Sequence, residues 1–183
     1  MTTPADPPAT LAPLVLRPAA ADDAAMLADL GTRGFIAKFG HMYTPENLAR
    51  FLESAHTETV VAGELADLAM RIQVAMQGGV AVSFCKLKLR CGWPEHARGR
   101  CAIELKQLYT DPDRIGGGAG TALMAWAEDE ARAYGADEIQ LSVWSGNTQA
   151  QRFYARRGFA KVADIEFWVG DHCDEEFLFA GML

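Results

Sequence analysis

The chain is most informative at Leu141-Ser142-Val143-Trp144-Ser145-Gly146-Asn147-Thr148-Gln149-Ala150-Gln151-Arg152-Phe153-Tyr154-Ala155-Arg156-Arg157-Gly158-Phe159. The alternating apolar positions of Glu138–Trp144 predict a strand. A turn at Gly146-Asn147 and a short helix over Thr148–Arg156 follow, and Phe159–Val169 predicts the next strand. We therefore expect a strand–helix–strand unit in the second half of the chain.

A glycine-rich loop precedes this unit, within Leu108-Tyr109-Thr110-Asp111-Pro112-Asp113-Arg114-Ile115-Gly116-Gly117-Gly118-Ala119-Gly120-Thr121. It joins a predicted strand over Ala102–Thr110 to an amphipathic helix over Gly117–Tyr134. Glycines let the backbone approach a ligand, and free N–H groups at a helix start attract anions. The loop therefore predicts a phosphate or pyrophosphate site, with a flexible turn as the alternative.

Two common nucleotide motifs do not fit the glycine loop. A P-loop needs Gly-Lys-Ser/Thr at the helix start, and here Gly120 is followed directly by Thr121. A dinucleotide fingerprint needs a third glycine, but Thr121 and Leu123 stand at the required positions in the two available registers.

The remaining segments predict one α/β domain over residues 13–183, after a disordered, proline-rich leader over residues 1–12. The pattern predicts a mixed sheet with one parallel crossover. The other predicted elements are a strand at 14–16, helices over 21–32, from Thr44-Pro45 onward and over 58–68, a hairpin of 71–77 and 80–89, and a last strand over 175–182.

Composition excludes several functional classes. The 17 Lys and Arg residues against 24 Asp and Glu residues give a net charge of −7, which argues against a basic nucleic-acid surface. No cysteine pair has CxxC spacing, so no metal site is expected. With no apolar run of ~18 residues and no signal sequence, we expect no membrane contact and a cytoplasmic location.

The pattern N-x-x-A-x-x-F-Y-x-x-x-G-F, from Asn147 to Phe159, resembles the second cofactor motif of the GNAT family of N-acetyltransferases. The glycine loop resembles the acyl-CoA pyrophosphate loop of the same family, in the same order along the chain. The resemblance extends from about Leu14 to Leu183. It implies an α/β fold with a mixed, mostly antiparallel twisted sheet of about seven strands and flanking helices. It also implies direct, metal-free transfer of acetyl from acetyl-CoA to a primary amine.

The family's loop motif, Gln/Arg-x-x-Gly-x-Gly/Ala, fits this chain in two registers. One register uses Arg114, Gly117 and Ala119. The other uses Gly118 and Gly120 and leaves Ile115 at the Gln/Arg position; it matches more of the helix, and we prefer it. Backbone N–H groups do most of the phosphate binding, so the missing side chain does not exclude it.

Three further stretches resemble the PaiA-type branch, whose known members acetylate polyamines such as spermidine and spermine. They are Phe39–Leu48, Leu141–Asn147 and Phe167–Asp171. The resemblance implies a small amine acceptor, with a polyamine as the finer expectation.

The family resemblance assigns roles to individual residues. Tyr154 is the expected acid at the CoA sulfur, with core packing as the alternative. Glu104 is the expected base for the amine, with solvent exposure or an ion pair with Lys106 as the alternative. The backbone N–H of Leu108 or Tyr109 is the expected oxyanion donor. The expected acetyl-CoA contacts are Leu108, Tyr109, Thr110, Ile115, Gly116, Gly117, Gly118, Ala119, Gly120, Thr121, Asn147, Ala150 and Tyr154.

The amine acceptor is expected to meet His41, Tyr43, Glu104 and Trp144, although a packing or capping role is the favoured alternative for His41. Asn147 suits either the pantetheine or a helix cap. The exposed helix with Arg152, Arg156 and Arg157 suits either the 3′-phosphate or solvent. The acidic last strands, with Glu166, Asp171, Asp174, Glu175 and Glu176, suit either a polycation or a solvated surface.

Two other functions remain open at this stage: a non-catalytic acyl-CoA-binding module, and an acetyltransferase for protein N-termini or lysines. Many family members dimerise through their last strands. The run Phe177-Leu178-Phe179 suits either a homodimer edge or a buried final strand.

Overall fold

The computed structural model describes residues 12–183 and shows one seven-stranded sheet. The strands are β1 (Leu14–Pro18), β2 (Met70–Gln77), β3 (Val80–Lys88), β4 (Ala102–Thr110), β5 (Glu138–Trp144), β6 (Ala160–Val169) and β7 (His172–Met182). Their order across the sheet is β1-β2-β3-β4-β5-β7-β6. Only β4 and β5 are parallel neighbours, so the predicted mixed sheet with one parallel crossover is confirmed.

Five helices flank the sheet, and most begin at a residue whose chemistry fits a helix start. The helices are α1 (Ala24–Phe39), α2 (Pro45–Ala55), α3 (Glu58–Ala66), α4 (Ala119–Tyr134) and α5 (Thr148–Ala155). The Thr44 hydroxyl accepts from the N–H of Asn47 at the start of α2, where Pro45 occupies the first helical position. Thr57 caps α3 in the same way.

The parallel pair β4–β5 is hydrogen-bonded only at its beginning. Residues 102–104 pair with residues 138–140, after which the strands separate. The backbone of residues 105–110 that faces β5 therefore has no strand partner, and the two strands leave a gap between them. Unpaired strand edges of this kind can receive an extended ligand.

Each face of the sheet carries its own apolar core. On one face, α4 buries Leu123, Met124 and Ala127 against the central strands. On the other face, α1 and α3 bury Leu27 and Val61. Strand β3 is buried on both faces, so it reads as a nearly continuous apolar run rather than a clean alternation.

The predicted strands 102–110 and 138–144 are confirmed residue for residue. The prediction of a helix over 21–32 is wrong at both ends. Residues 21–23 form a single 3₁₀ turn, and the Asp23 carboxylate accepts from the Ala20 N–H and from Arg17 at 2.6–2.7 Å. Helix α1 then continues to Phe39, because Phe35 extends its buried stripe and is only 3% exposed.

The last strand begins three residues before the predicted start at Glu175, because a tight turn at Gly170 pairs Val169 with His172. Strand β7 lies between β5 and β6. Of the two interpretations of Phe177-Leu178-Phe179, the structure therefore supports a buried inner strand and not an edge open to a second chain. The predicted leader falls outside the described residues except for Ala12.

Within residues 12–183, no helix is both long enough and apolar enough to span a bilayer.

Candidate active site

A cleft of about 790 Å³ opens where β4 and β5 separate. The start of α4 and helix α5 bound it on one side of the sheet, and α1 and α2 bound it on the other. The predicted site residues that line it are Tyr43, Glu104, Leu108, Tyr109, Thr110, Ile115, Gly116, Gly118, Ala119, Gly120, Thr121, Trp144, Asn147, Ala150 and Tyr154. Two predicted residues are not brought to it: His41 is exposed outside the cleft, and Gly117 is not among its walls.

The glycine loop presents free backbone donors to one end of the cleft. Gly118 is the N-cap of α4 with φ 84°, and Gly116 has φ 90°, both in the left-handed region that glycine tolerates. The helical hydrogen bonding begins with Ala122, whose N–H donates to the Gly118 carbonyl at 3.0 Å. The N–H groups of the preceding first turn are not used by the helix, and they fit the phosphates of a CoA donor.

The start of α4 fixes where the two glycines of the preferred register lie. The helix begins directly after Gly118, so Gly118 is its N-cap and Gly120 lies in its first turn. Ile115, at the Gln/Arg position, is 64% exposed and offers no side-chain donor. Anion binding at this end therefore depends on the backbone.

A β-bulge shapes the wall that β4 contributes to the cleft. Lys86 pairs with Gln107, but the next residue, Leu87, pairs with Leu105, so Lys106 is an extra residue in β4. The bulge lies two residues before Leu108, at the height where β4 has already left β5. The extra residue changes the direction of the strand close to the position where the oxyanion donor was predicted.

Tyr154 lies on α5, half-buried in the cleft wall, with its ring 5.2 Å from Phe153 and 6.0 Å from Phe159 between centroids. Burial raises the pKa of the Tyr154 hydroxyl, and neighbouring Cys85 and Tyr109 add to the effect. The phenol therefore stays protonated at neutral pH, as a proton donor must.

Asn147 performs the capping function that was one of its two predicted roles. Its side-chain oxygen accepts from the Ala150 N–H at 3.2 Å at the start of α5. Because Asn147 also lines the cleft, capping and ligand contact do not exclude each other.

Glu104 is half-buried at the narrow end of the cleft, where β4 and β5 are still paired. Burial raises the pKa of its carboxyl, and the nearby Lys88 and Lys106 oppose that effect. The ion pair between Glu104 and Lys106 that the sequence left open is not formed, because the Lys106 ammonium binds Glu64 at 2.6 Å.

Aromatic side chains enclose the other end of the cleft. Phe35 stacks on Phe51 with ring centroids 4.3 Å apart, and Phe51 contacts Phe167 at 5.7 Å. Phe39 meets the edge of Trp144 at 6.2 Å. Phe39, Trp144 and Phe167 come from the three stretches that resemble the PaiA-type branch, while Phe35 and Phe51 belong to α1 and α2 on either side of the first stretch.

Two carboxylates of β7 face this aromatic enclosure. The Tyr43 hydroxyl donates to Asp174, and the Asp174 carboxylate also lies 3.1 Å from the imidazole of His172. Glu176 lines the same wall. The other acidic residues of this region, Glu166, Asp171 and Glu175, are exposed. The acidic character predicted for the last strands is thus divided between the cleft and the solvent.

The three arginines of the α5 region have different environments. Arg156 lines the cleft, and Arg152 is exposed without lining it. Arg157 forms a two-point ion pair with Glu128 of α4 at 2.9 and 3.0 Å. Arg157 therefore holds α5 against α4.

Sequence reasoning missed a buried polar group beneath the cleft. Lys86 on β3 is fully buried and binds Glu64 of α3 at 2.5 Å. His56 is 4% exposed, and neither ring nitrogen has a hydrogen-bond partner among the described residues. Burial and the charge of Lys86 lower the pKa of His56 to about 4. No spacing in the sequence distinguishes these residues from surface lysines and histidines.

The cleft and the fold agree with comparisons to known proteins. Residues 36–159 match the family described as the acetyltransferase (GNAT) family. An N-acetyltransferase of Mycobacterium bovis is 31% identical over 157 residues, covering 85% of this chain and 95% of that protein. An aminoalkylphosphonate N-acetyltransferase of Salmonella typhimurium is 33% identical over 98 residues, covering 54% of this chain and 62% of that protein.

Among solved structures, the PaiA N-acetyltransferase of Thermoplasma acidophilum in complex with coenzyme A superposes with a TM-score of 0.77. It is 18% identical, and the match covers 93% of this chain and 99% of that one. At this identity the likeness establishes a shared fold.

Proposed function

Because the chain belongs to the GNAT acetyltransferase family and is an acetyl-CoA-dependent N-acetyltransferase, we propose that its acceptor is a polyamine such as spermidine. The observation that carries this proposal is the composition of the cleft. Its donor end presents backbone N–H groups at the start of α4, and its acceptor end combines aromatic rings with carboxylates. Carboxylates and aromatic faces both attract ammonium groups.

The placement of the carboxylates suits an acceptor with more than one charge. Glu104 lies opposite Gln140 of β5, and Glu176 lies opposite Trp144 of the same strand. These two positions on β5 are separated by about 13 Å, at roughly 3.3 Å per residue. A linear chain with two or three ammonium groups can therefore meet both carboxylates, whereas a small monoamine reaches only one.

The predicted roles give a complete acyl transfer. Glu104, the predicted base, takes a proton from the ammonium group, because only the neutral amine is a nucleophile. The backbone N–H of Leu108 or Tyr109 receives the negative charge that develops on the carbonyl oxygen. The Tyr154 hydroxyl protonates the departing thiolate. The cleft holds the amine and the thioester together, which removes the entropic cost of their encounter.

The acceptor end distinguishes a polyamine from an aminoalkylphosphonate, the class named for the Salmonella typhimurium relative. A phosphonate would bring further negative charge to a wall that already carries Asp174 and Glu176. Like charges in a partly buried site repel strongly. We therefore expect this chain to favour the acceptor that adds positive charge.

Release of CoA thiol from acetyl-CoA tests the proposal across a panel of acceptors. The panel contains spermidine, spermine, aminoethylphosphonate, a neutral amino-acid amide and a short peptide with a free N-terminus. We expect the highest kcat/KM for a polyamine, at least tenfold above the others. A higher kcat/KM for the peptide or for the phosphonate would refute the polyamine assignment.

A further inference from the structure

Glu176 has an unusual environment for a carboxylate in the cleft wall. It lies in the middle of β7, opposite Trp144 of β5 and Ile165 of β6. Its Oε2 atom is buried and has no hydrogen-bond partner among the described residues. A buried carboxylate oxygen without a partner is costly, so a group that satisfies it binds with a clear advantage.

Four polar neighbours of the Glu176 carboxyl come from β4, β5, β7 and the turn before α2. Tyr43 from the turn before α2, Tyr109 from β4, Asp174 from β7 and the Ser142 hydroxyl from β5 interact with its carboxyl. None of these groups is a cation, and no ion pair to Glu176 occurs within residues 12–183. The negative charge of Glu176 is therefore uncompensated within the described chain.

The two other acidic residues of the cleft have a hydrogen-bond donor or cationic side chains nearby. Asp174 accepts from the Tyr43 hydroxyl and lies 3.1 Å from His172. Glu104 lies near Lys88 and Lys106. A loop also closes on Glu104: a Cβ atom at Gly92 would come within 3.2 Å of the carboxylate. Their environments leave Glu176 as the strongest site for a new cation.

We propose that Glu176 binds the attacking ammonium group and accepts its proton, which makes it a catalytic residue of this acetyltransferase. This inference rests on the proposed function, and it replaces Glu104 as the base. Glu176, Tyr109 and Tyr154 all line the same cleft. Glu176 and the phenol proposed to protonate the thiolate therefore face one shared space.

The proton and bond changes balance as follows. The ammonium group gives one proton to the Glu176 carboxylate, and the neutral nitrogen attacks the thioester carbon. The C–N bond forms and the C–S bond breaks, while the Tyr154 hydroxyl gives its proton to the departing thiolate. The second proton that the nitrogen loses restores the Tyr154 hydroxyl. The products are the amide, CoA thiol and a protonated Glu176, which then releases its proton to solvent.

The surroundings of Glu176 also suit a base. Burial raises the pKa of its carboxyl and Asp174 adds to this effect, while Ser142 opposes it. A raised pKa moves the carboxylate toward the pKa of the amine and makes proton transfer easier. The reaction needs the deprotonated form, so kcat/KM must fall as the pH drops through the pKa of Glu176.

The test compares Glu176→Gln with Glu104→Gln, with Glu175→Gln as the matched control on the exposed face of the same strand. We expect Glu176→Gln to lower kcat/KM for the amine at least 100-fold and to remove the acidic limb of the pH profile. The Kd for CoA should change less than threefold, which also reports that the variant is folded. Glu176→Asp should recover part of the activity, and Glu175→Gln should behave as the wild type.

The amine in this experiment is the one that the wild type acetylates fastest. If the acceptor is not a polyamine, the wild type will acetylate a different amine fastest. If Glu176 is not the base, its variants will keep their activity toward whichever amine is preferred. A Glu176→Gln enzyme that keeps its kcat/KM within threefold of the wild type overturns the inference. So does a Glu104→Gln enzyme that alone loses the acidic limb.

Discussion

Tyr154 carries the proposed role of proton donor to the departing thiolate. Removing its hydroxyl in Tyr154→Phe keeps the ring packing against Phe153 and Phe159 but removes the proposed donor. We expect kcat to fall about 100-fold, within the usual range for general acid catalysis. Isothermal titration should give a CoA Kd within threefold of the wild type.

The control for this substitution is Tyr134→Phe, at an exposed tyrosine at the end of α4. It should leave both kcat and CoA binding unchanged. A Tyr154→Phe enzyme with wild-type kcat would remove the hydroxyl from the mechanism.

His56 gives a prediction about stability rather than activity. Its pKa is about 4 in the folded chain, so the unfolded chain, with a pKa near 6.5, binds more protons between these values. The stability that His56 contributes is complete above about pH 6.5 and is lost as the pH falls toward 4. We expect the free energy of unfolding to drop by about 2 kcal/mol between pH 8 and pH 5 through this group.

Denaturant unfolding at the two pH values measures this drop. In the variant His56→Leu, the difference between pH 8 and pH 5 should be smaller by about the same amount. Equal pH dependence in the variant and the wild type would contradict the assignment.

The sequence alone predicted the position of some site residues relative to the cleft and not of others. Tyr154 and the loop glycines occupy a contiguous motif, so their place in the cleft followed from the pattern. Glu176 and Asp174 stand in a run with Glu175, and only the strand register separates the two that face the cleft from the one that faces solvent. Neither a contiguous motif nor a strand register fixes the position of His41, and it lies outside the cleft.

At the scale of elements, helix α3 fastens the bulged strand beside the cleft. The Glu64 carboxylate binds Lys86 at 2.5 Å and Lys106 at 2.6 Å, and these lysines flank the bulge between β3 and β4. The two lysines outweigh burial and keep the pKa of Glu64 below its ordinary value. The group therefore remains charged at neutral pH.

We expect Glu64→Gln to destabilise the fold by about 3 kcal/mol, because it leaves the Lys86 charge buried without a counter-charge. Lys86→Met should cost less, since Glu64 keeps Lys106 and an apolar chain replaces a buried ammonium. Chemical denaturation of both variants measures the order. A larger loss for Lys86→Met would contradict this account of the ion cluster.

The start of α4 is the element that we expect to bind the phosphates of the donor. A β-branched side chain cannot adopt the φ of 84° at Gly118 without strain, so Gly118→Val must shift the first turn of the helix. We expect the Kd for CoA to rise at least tenfold, measured by isothermal titration.

Gly118→Asn should retain more CoA binding than Gly118→Val, because asparagine tolerates the left-handed region. Gly63→Ala is the control: it lies inside α3, where a Cβ atom would meet nothing within 4 Å. That variant should keep the wild-type CoA Kd. An unchanged Kd in Gly118→Val would show that the loop backbone does not hold the phosphates.

Element boundaries were predictable where local chemistry marks them and not where tertiary contacts set them. Thr44 and Pro45 mark the start of α2, and the strand 102–110 ends before a turn. The extension of α1 to Phe39 depends on packing against other elements, which Phe35 mediates. The bulge at Lys106 leaves no trace in the pattern of apolar residues.

The whole molecule separates its charges according to the two substrates. The net charge of −7 would repel a polyanionic donor if it were spread evenly. The donor end instead offers backbone N–H groups, with Arg114 and Arg156 among the lining residues. The other end holds Asp174 and Glu176, which suits the cationic amine that we propose as acceptor.

The overall architecture was predictable because strands and helices differ in the periodicity of their apolar residues. The order of these elements along the chain then indicated a mixed sheet with one parallel crossover. The acceptor pocket was predictable only through the resemblance of three separate stretches. Their convergence depends on contacts such as Asn47 to the backbone of Asp171 at 3.0 Å and Phe51 to Phe167. No local rule of sequence connects residues more than a hundred positions apart.

The most direct test of the central claim is mass spectrometry of spermidine incubated with the protein and acetyl-CoA carrying a labelled acetyl group. We predict a monoacetylated spermidine that carries the label and forms in equal amount to free CoA. That product should fall at least 100-fold in Glu176→Gln and stay unchanged in Glu175→Gln. An unlabelled polyamine under conditions where the same protein acetylates a peptide would contradict the claim.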